Sequence, residues 1–288
     1  MRTSVLSLLF LLILSQLINA QSFKPSFFCF EDAFLLSKNY TFEDQVKLLK
    51  NLGYDGIELE GLDNYEEKLK ILDKYDLKVF MVYIQIDLEK EQPYDTRLHD
   101  FIKTVKGKGV TLWLHIHSDK YGPSDPAGDA LCVPILQKLA DFAGTYNVNL
   151  ALYPHSRFWL EKVGDSVRLT QKADRDNLGA VFNLCHFLKT DIKDSLELEL
   201  VRSIPYLAAV SINGADDGNT RDMEWTRLIQ PLGEGSFNVF NILRLLKINN
   251  YKGPVGLQCY DIKGDPAVFL KTSITTWGQY LKDIRSVK

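Results

Sequence analysis

Four of the chain's five histidines, His115, His117, His155 and His186, stand where short β-branched or aromatic runs give out. Imidazole moves protons near neutral pH and is also a common metal ligand. A cluster of four therefore says more than any single member. His115 and His117 are two apart on one run and share a face of it. Glu58 lies between Ile57 and Leu59 at the end of another run, so it faces inward if those two face outward. An enclosed carboxyl beside imidazoles would have its pKa displaced in the way an acid or base requires. Each residue also has a plain structural reading: a rim histidine satisfied by a neighbour, or a Glu58 ion pair with Lys or Arg. Glu31, Asp32, Glu60 and Asp87 are further acids near the same ends, of which Glu60 and Asp87 read as loop-capping residues. His99 falls on an amphipathic stretch and reads as a surface residue.

Neutral polar groups dominate the remaining ends. Tyr83 and Gln85 share a strand face and could hydrogen-bond a polyol. The late runs end in Tyr153-Pro154-His155, Asn183-Leu184-Cys185-His186, Ser211-Ile212-Asn213-Gly214 and Gln258-Cys259-Tyr260. Rings are interleaved with them: Trp113, Tyr153, Phe158, Trp159, Trp225 and Tyr260. Aromatic faces beside amide and hydroxyl groups suit a sugar, although such rings also build cores.

These residues need a scaffold that brings strand ends together. Strand-like runs at 26–30, 55–60, 78–87, 110–117, 148–153, 179–184, 207–213 and 255–259 alternate with helical patterns. The clearest helix is opened by a Thr41–Asp44 capping box and stopped by Gly53. Others run to Tyr75 and near 98–105, 130–146, 160–173, 195–204 and from 266. Strands separated by single helices imply parallel neighbours with right-handed crossovers. Eight such units predict one α/β domain, a (β/α)8 TIM barrel, whose chemistry lies at the carboxyl ends of the strands. A doubly wound sheet is the rival, but strand one is followed by no glycine-rich phosphate turn. The longest irregular stretch, 214–236, carries Trp225 and reads as a pocket wall or lid, or equally as a surface excursion.

Residues 1–20 pair a basic start with a short apolar run and a small residue, Ala20. This pattern is expected of a secretory signal peptide cleaved near Ala20, leaving 21–288 as the barrel. Secreted or periplasmic placement follows, with no stable membrane insertion. Net charge is −3 and no basic block occurs, so nucleic acid is not an expected partner. Cys29, Cys132, Cys185 and Cys259 show no metal spacing and read as free core thiols.

The string Gly53-Tyr54-Asp55-Gly56-Ile57-Glu58-Leu59 resembles the xylose isomerase-like barrels, the superfamily of sugar and sugar phosphate isomerases and epimerases. The Pro154-His155 tail, Asn183-x-x-His186 and Leu232-Gly233-Glu234-Gly235 extend the resemblance over the whole barrel. The resemblance implies a divalent cation held by Glu, Asp, His and Glu at four strand ends, with the two Glu moving the substrate proton. The matching positions here are Tyr153, Asn183, Asn213 and Gln258. Amides and a phenol carry no formal charge for a hard cation and cannot serve as the acid–base pair. His186 matches the family's substrate-touching His.

The expectation is therefore an exported barrel acting on a carbohydrate or keto-glycoside. His186, His155, Glu58 and His117 are the candidate acid–base groups. Substrate contacts are expected from His115, Tyr153, Asn183, Asn213, Gln258, Tyr83, Gln85 and Trp225. If a zinc or manganese ion is present, His117, His155 and His186 are its candidate ligands. The alternatives are a lyase or hydrolase acting on keto-glycosides and a non-catalytic carbohydrate-binding barrel.

Overall fold

The computed structural model of the chain describes residues 23–37 and 39–287. The proposed signal peptide lies outside these residues. The eight strands are β1 (Phe27–Phe30), β2 (Gly56–Leu59), β3 (Lys78–Asp87), β4 (Thr111–His117), β5 (Asn149–Leu152), β6 (Leu178–Asn183), β7 (Leu207–Ile212) and β8 (Val255–Leu257). All neighbours are parallel, and β8 pairs with β1 to close the barrel. The expected (β/α)8 fold is the fold observed.

Helix α1 (Phe42–Leu52) starts at Thr41, whose hydroxyl accepts from the Asp44 N–H at 3.2 Å while the Asp44 carboxylate accepts from the Thr41 N–H at 3.2 Å. It ends at Gly53, with φ at 91°, a left-handed conformation that glycine adopts without steric cost. Next come α2 (Tyr65–Tyr75), α3 (Leu98–Thr104), α4 (Asp129–Gly144) and α5 (Val163–Ala173), each following its strand. Asp129 at the start of α4 accepts from Arg168 and Lys172 of α5, tying the two helices together.

Two helices depart from the sequence reading. Helix α6 (Leu184–Thr190) begins directly at the end of β6, with the Asn183 side chain capping it by accepting from the His186 N–H. Its apolar run is too short for periodicity to separate helix from buried strand. It is followed by α7 (Leu196–Ser203), the short α8 (Trp225–Leu228), α9 (Phe240–Ile248) and α10 (Pro266–Asp283). Helix α9 lies in a stretch the sequence reading left without an element.

Strand alternation sorts the side chains. Phe28, Phe30, Met81, Trp113, Ala151, Tyr153, Val181 and Ala209 form one buried cluster, the barrel interior. The larger apolar cluster lies between strands and helices. Interior rings fill the barrel because two strands yield space. A Cβ on Gly256 would lie 2.6 Å from the Phe28 ring and 2.7 Å from the Phe30 ring, and one on Gly56 2.6 Å from Phe80. The rings form a floor, and the space above it at the carboxyl ends is open.

Candidate active site

Above that floor is a cavity of about 460 Å³, walled by side chains from β1, β2 and β3 and from the segments that follow β1, β2, β5, β6, β7 and β8. Tyr153 is its central ring. It packs against Trp113 at 4.9 Å and edge-on to Tyr83 at 5.1 Å, centroid to centroid.

One wall is acidic. Glu58 pairs in register with Phe30 and Met81 on the interior face and is buried. Burial, and after it the charges of Glu60, Asp32 and Glu31, push its carboxyl well above the ordinary range. Asp32, in the turn after β1, is likewise pushed well up by burial and then by Glu60. Its Oδ1 has no hydrogen-bond partner. Glu60, just past β2, is raised to about 7 by burial, with Glu31 adding to the shift and Lys68 opposing it. Its side chain is exposed at the rim and also lines the cavity. Lys68 does not neutralise this wall freely, because both Glu31 oxygens hold it at 2.6 and 2.8 Å.

The opposite wall is imidazole. Strands β5 and β6 lie across the eight-strand ring from β1 and β2. His155 follows β5, and burial lowers it to about 4. His186, in the first turn of α6, is lowered well below the ordinary histidine range by burial and then by His155. Both are neutral at pH 7. His155 Nδ1 is 2.9 Å from the Ser156 carbonyl oxygen, so it carries the proton there and leaves Nε2 as a lone-pair base. His186 Nδ1 accepts from the Ser156 N–H at 3.4 Å, so its own proton lies on Nε2, a donor.

The remaining candidates are distributed differently. Tyr83, Tyr153, Trp225 and Gln258 line the cavity with His155, His186 and Glu58. His115 and His117 do share a strand, bonded ring to ring at 2.9 Å, but neither lines the cavity. His115 stacks on Tyr83 at 4.0 Å, and His117 is separated from His155 by the Phe158 ring, 3.7 and 3.9 Å from each. The proposed convergence of His117 with His155 and His186 on one metal therefore does not occur. Gln85 turns to the Asp87 carboxylate, at 3.0 and 3.1 Å. Asn183 caps α6 and bonds the Tyr153 hydroxyl. Asn213 donates to the Gly214 and Leu228 carbonyls at 2.7 and 2.6 Å, fastening the long loop.

That loop is a pocket wall. Trp225 and Ile229 line the cavity, with Trp225 edge-on to His186 at 5.5 Å. Gly214 and Gln230 exchange backbone hydrogen bonds at 2.9 and 2.8 Å, and the Asp216–Arg227 pair at 2.8 Å clasps the loop. A Cβ on Gly214 would lie 2.1 Å from the Pro231 carbonyl oxygen, so this close approach requires glycine.

Glu60 and Asp32 were under-read from sequence. Glu60 appeared as a loop cap and Asp32 as one acid among several. The usable signal was their spacing: four acids within two residues of the ends of adjoining strands β1 and β2.

With this geometry in view, comparison with known proteins places the chain. The profile of the xylose isomerase-like TIM barrel family matches residues 46–276. The chain belongs to that family. No curated protein matches it in sequence. Among solved structures, it is similar to the IOLI protein with a bound zinc atom, at a TM-score of 0.73, 18% identity, and coverage of 91% of this chain and 99% of that one. It is also similar to the Escherichia coli 3-keto-D-glucoside 4-epimerase YcjR, at a TM-score of 0.69 and 16% identity over 90% of this chain and 100% of that one. A D-allulose 3-epimerase from Methylomonas gives a TM-score of 0.71 and 16% identity over 89% and 98%. Identities this low establish the fold alone.

The xylose isomerase-like barrel implies a divalent cation, and the residues at the four matching positions do not fit one. Gln258 Oε1 is already taken by the Cys259 and Tyr260 N–H groups at 2.8 and 3.0 Å. Asn183 Oδ1 is taken by the His186 N–H and the Cys185 thiol at 3.4 and 3.1 Å. The Asn213 NH2 group is turned to the loop, which leaves its buried oxygen as a single neutral ligand atom, and Tyr153 is a phenol whose pKa burial drives upward. Among the described residues, no three His, Cys, Asp or Glu side chains are placed to hold a metal ion.

Proposed function

We propose that this barrel is an exported sugar isomerase or epimerase that moves a proton on the carbon beside a carbonyl, on a ketose or a keto-glycoside. The observation that carries this is the opposition of the two walls: Glu60, poised at about 7, faces the neutral His155–His186 pair across a sugar-sized cavity. A base with a pKa near the working pH is best matched to carbon-proton abstraction. The developing enolate oxygen needs a donor rather than a second charge. His186 Nε2–H and the protonated Glu58 carboxyl supply such donors, and a carboxylic acid kept neutral by burial is an established way to do so. His155 Nε2 remains available to accept a hydroxyl proton. Tyr83, Tyr153 and Trp225 offer faces for the apolar side of the ring.

The activities of the epimerases similar in fold support this class of reaction, and the carbonyl requirement follows from the chain's own groups. Neutral donors are weaker activators than a cation, so the substrate must bring an acidified C–H. The signal-like segment supports export, which N-terminal sequencing of the mature protein would test through cleavage near Ala20.

The direct test is to incubate ketoses and 3-keto-glycosides with the protein in D2O and follow the protons beside the carbonyl by NMR. Deuterium entry or a new epimer is expected. Binding without exchange of any such proton would overturn the assignment and leave a carbohydrate-binding barrel.

A further inference from the structure

Arg157 is the cationic side chain among the residues lining the cavity. It is exposed at the mouth in the segment after β5, one residue past the Ser156 that orients both imidazoles. The groups around it leave its charge standing. His155 and His186 are neutral, burial holds Asp32 and Glu58 protonated on the opposite wall, and Glu60, at about 7, is half ionised at neutral pH. Lys68 and Glu31, beside that wall, neutralise one another. Glu161 spends Oε1 on the Arg157 backbone N–H at 2.9 Å, Asp165 is held by Arg168, and among the described residues no carboxylate pairs with the Arg157 guanidinium. The backbone that presents this side chain is strained. Arg157 has φ at 72°, in the left-handed region that suits glycine or asparagine and disfavours longer side chains. Hydrogen bonds on either side fix it there, from the His155 N–H to the Leu160 carbonyl at 2.9 Å and from the Phe158 N–H to the His155 carbonyl at 3.1 Å. Residues held in such conformations cluster at active sites and ligand clamps.

We propose that the cavity takes an acidic sugar, a ketose or keto-glycoside bearing one carboxylate, with that carboxylate paired to Arg157. This deepens the sugar reading above and rests on it. A guanidinium presents a planar fork of N–H donors that meets a carboxylate with two parallel hydrogen bonds. Its single charge balances a monoanion, whereas a phosphate dianion would bring a second negative charge with no cation to meet it among the lining residues. Protonated Asp32 and Glu58 can donate to the sugar and do not repel an anion. His186 Nε2–H, on the same wall as Arg157, adds a neutral donor. A carboxylate anchored at this end directs the rest of the molecule across the cavity towards Glu60, the base on the far wall. One charged contact thereby fixes which end of the sugar meets which wall.

The test uses the full mature chain and isothermal titration with fructuronate, tagaturonate and methyl glucuronide. Fructose, tagatose and methyl glucoside are the neutral counterparts, and fructose 6-phosphate is the dianionic one. At least one acid is expected to bind roughly ten-fold or more tightly than its neutral counterpart, with the preference shrinking as salt is raised. Arg157→Asn, which suits the left-handed backbone, should cut that preference to under about three-fold while the neutral sugar binds as before. Arg157→Lys should retain part of it, since a point charge replaces the fork. Should the Asn variant fail to fold, Arg157→Gly, which adopts the same φ freely, should give the same loss. Equal affinity for each acid and its neutral counterpart would overturn the carboxylate assignment and leave the sugar site standing. Tighter binding of fructose 6-phosphate than of every uronate would overturn it in favour of a phosphate. Binding of none of these sugars, acid or neutral, would overturn both readings.

Discussion

The imidazoles of His155 and His186 lie 4.0 Å apart, centroid to centroid, and the single residue Ser156 orients both. Its carbonyl takes the proton of one ring, and its N–H occupies the lone pair of the other. Two histidines on successive βα units thereby become unlike groups, a base and a donor. Long-range 1H–15N spectra should show His155 as the Nδ1–H tautomer and His186 as the Nε2–H tautomer, both neutral at pH 6. An imidazolium signal from either at that pH would refute the assignment.

Glu60 should govern the pH dependence of turnover. Its carboxyl is raised to about 7, and a base works in its ionised form. The kcat/KM profile should therefore climb with pH through about 7 and level off above it. Glu60→Gln should lower kcat by roughly 10²- to 10⁴-fold and abolish that limb, with KM changed far less.

Stability should carry the same signature with a defined sign. The folded chain holds protons on Asp32, Glu58 and Glu60 that the unfolded chain releases from its lower carboxyl pKa values upward, so stability falls as pH rises. His155 and His186 act oppositely, but only below their unfolded value of 6.5. Above pH 6.5 the carboxyls act without that opposition. Tm should drop between pH 6.5 and 8.5, and Glu58→Gln should make the drop smaller. A flat or rising Tm in the wild type would show that these groups are not held protonated.

Turnover should survive chelation. At two of the family's ligand positions, Gln258 and Asn183, the amide oxygens are committed to backbone N–H groups and a thiol, and a lone Asn213 oxygen makes no ligand set. Dialysis against EDTA should leave kcat/KM within about two-fold, the change expected if no ligand set is lost. A loss restored by zinc or manganese would overturn that expectation.

The ring floor should be intolerant of volume. Gly256→Ala would place a methyl 2.6 Å from the Phe28 ring, an overpacking that costs about 1–3 kcal/mol. Urea unfolding would register the change, and a neutral result would mean that the rings can shift aside.

The sequence by itself determined the barrel, the capping box at Thr41, the wall position of Glu58 and the loss of charged groups at Tyr153, Asn183, Asn213 and Gln258. These are local properties: apolar periodicity, turn chemistry and residue type at a strand end. It placed His155 and His186 correctly at the mouth but grouped His117 with them, because period-two alternation locates a face of a strand and not the Phe158 ring between faces. Only the tertiary structure decided what each polar end does. Asn183 and Asn213 spend their hydrogen bonds on a helix start and a loop, Gln85 on Asp87, and Glu60 becomes a cavity group rather than a cap. Burial and the field of neighbouring charges, which set these pKa values, arise from residues distant in sequence. They are properties of packing that no spacing along the chain encodes.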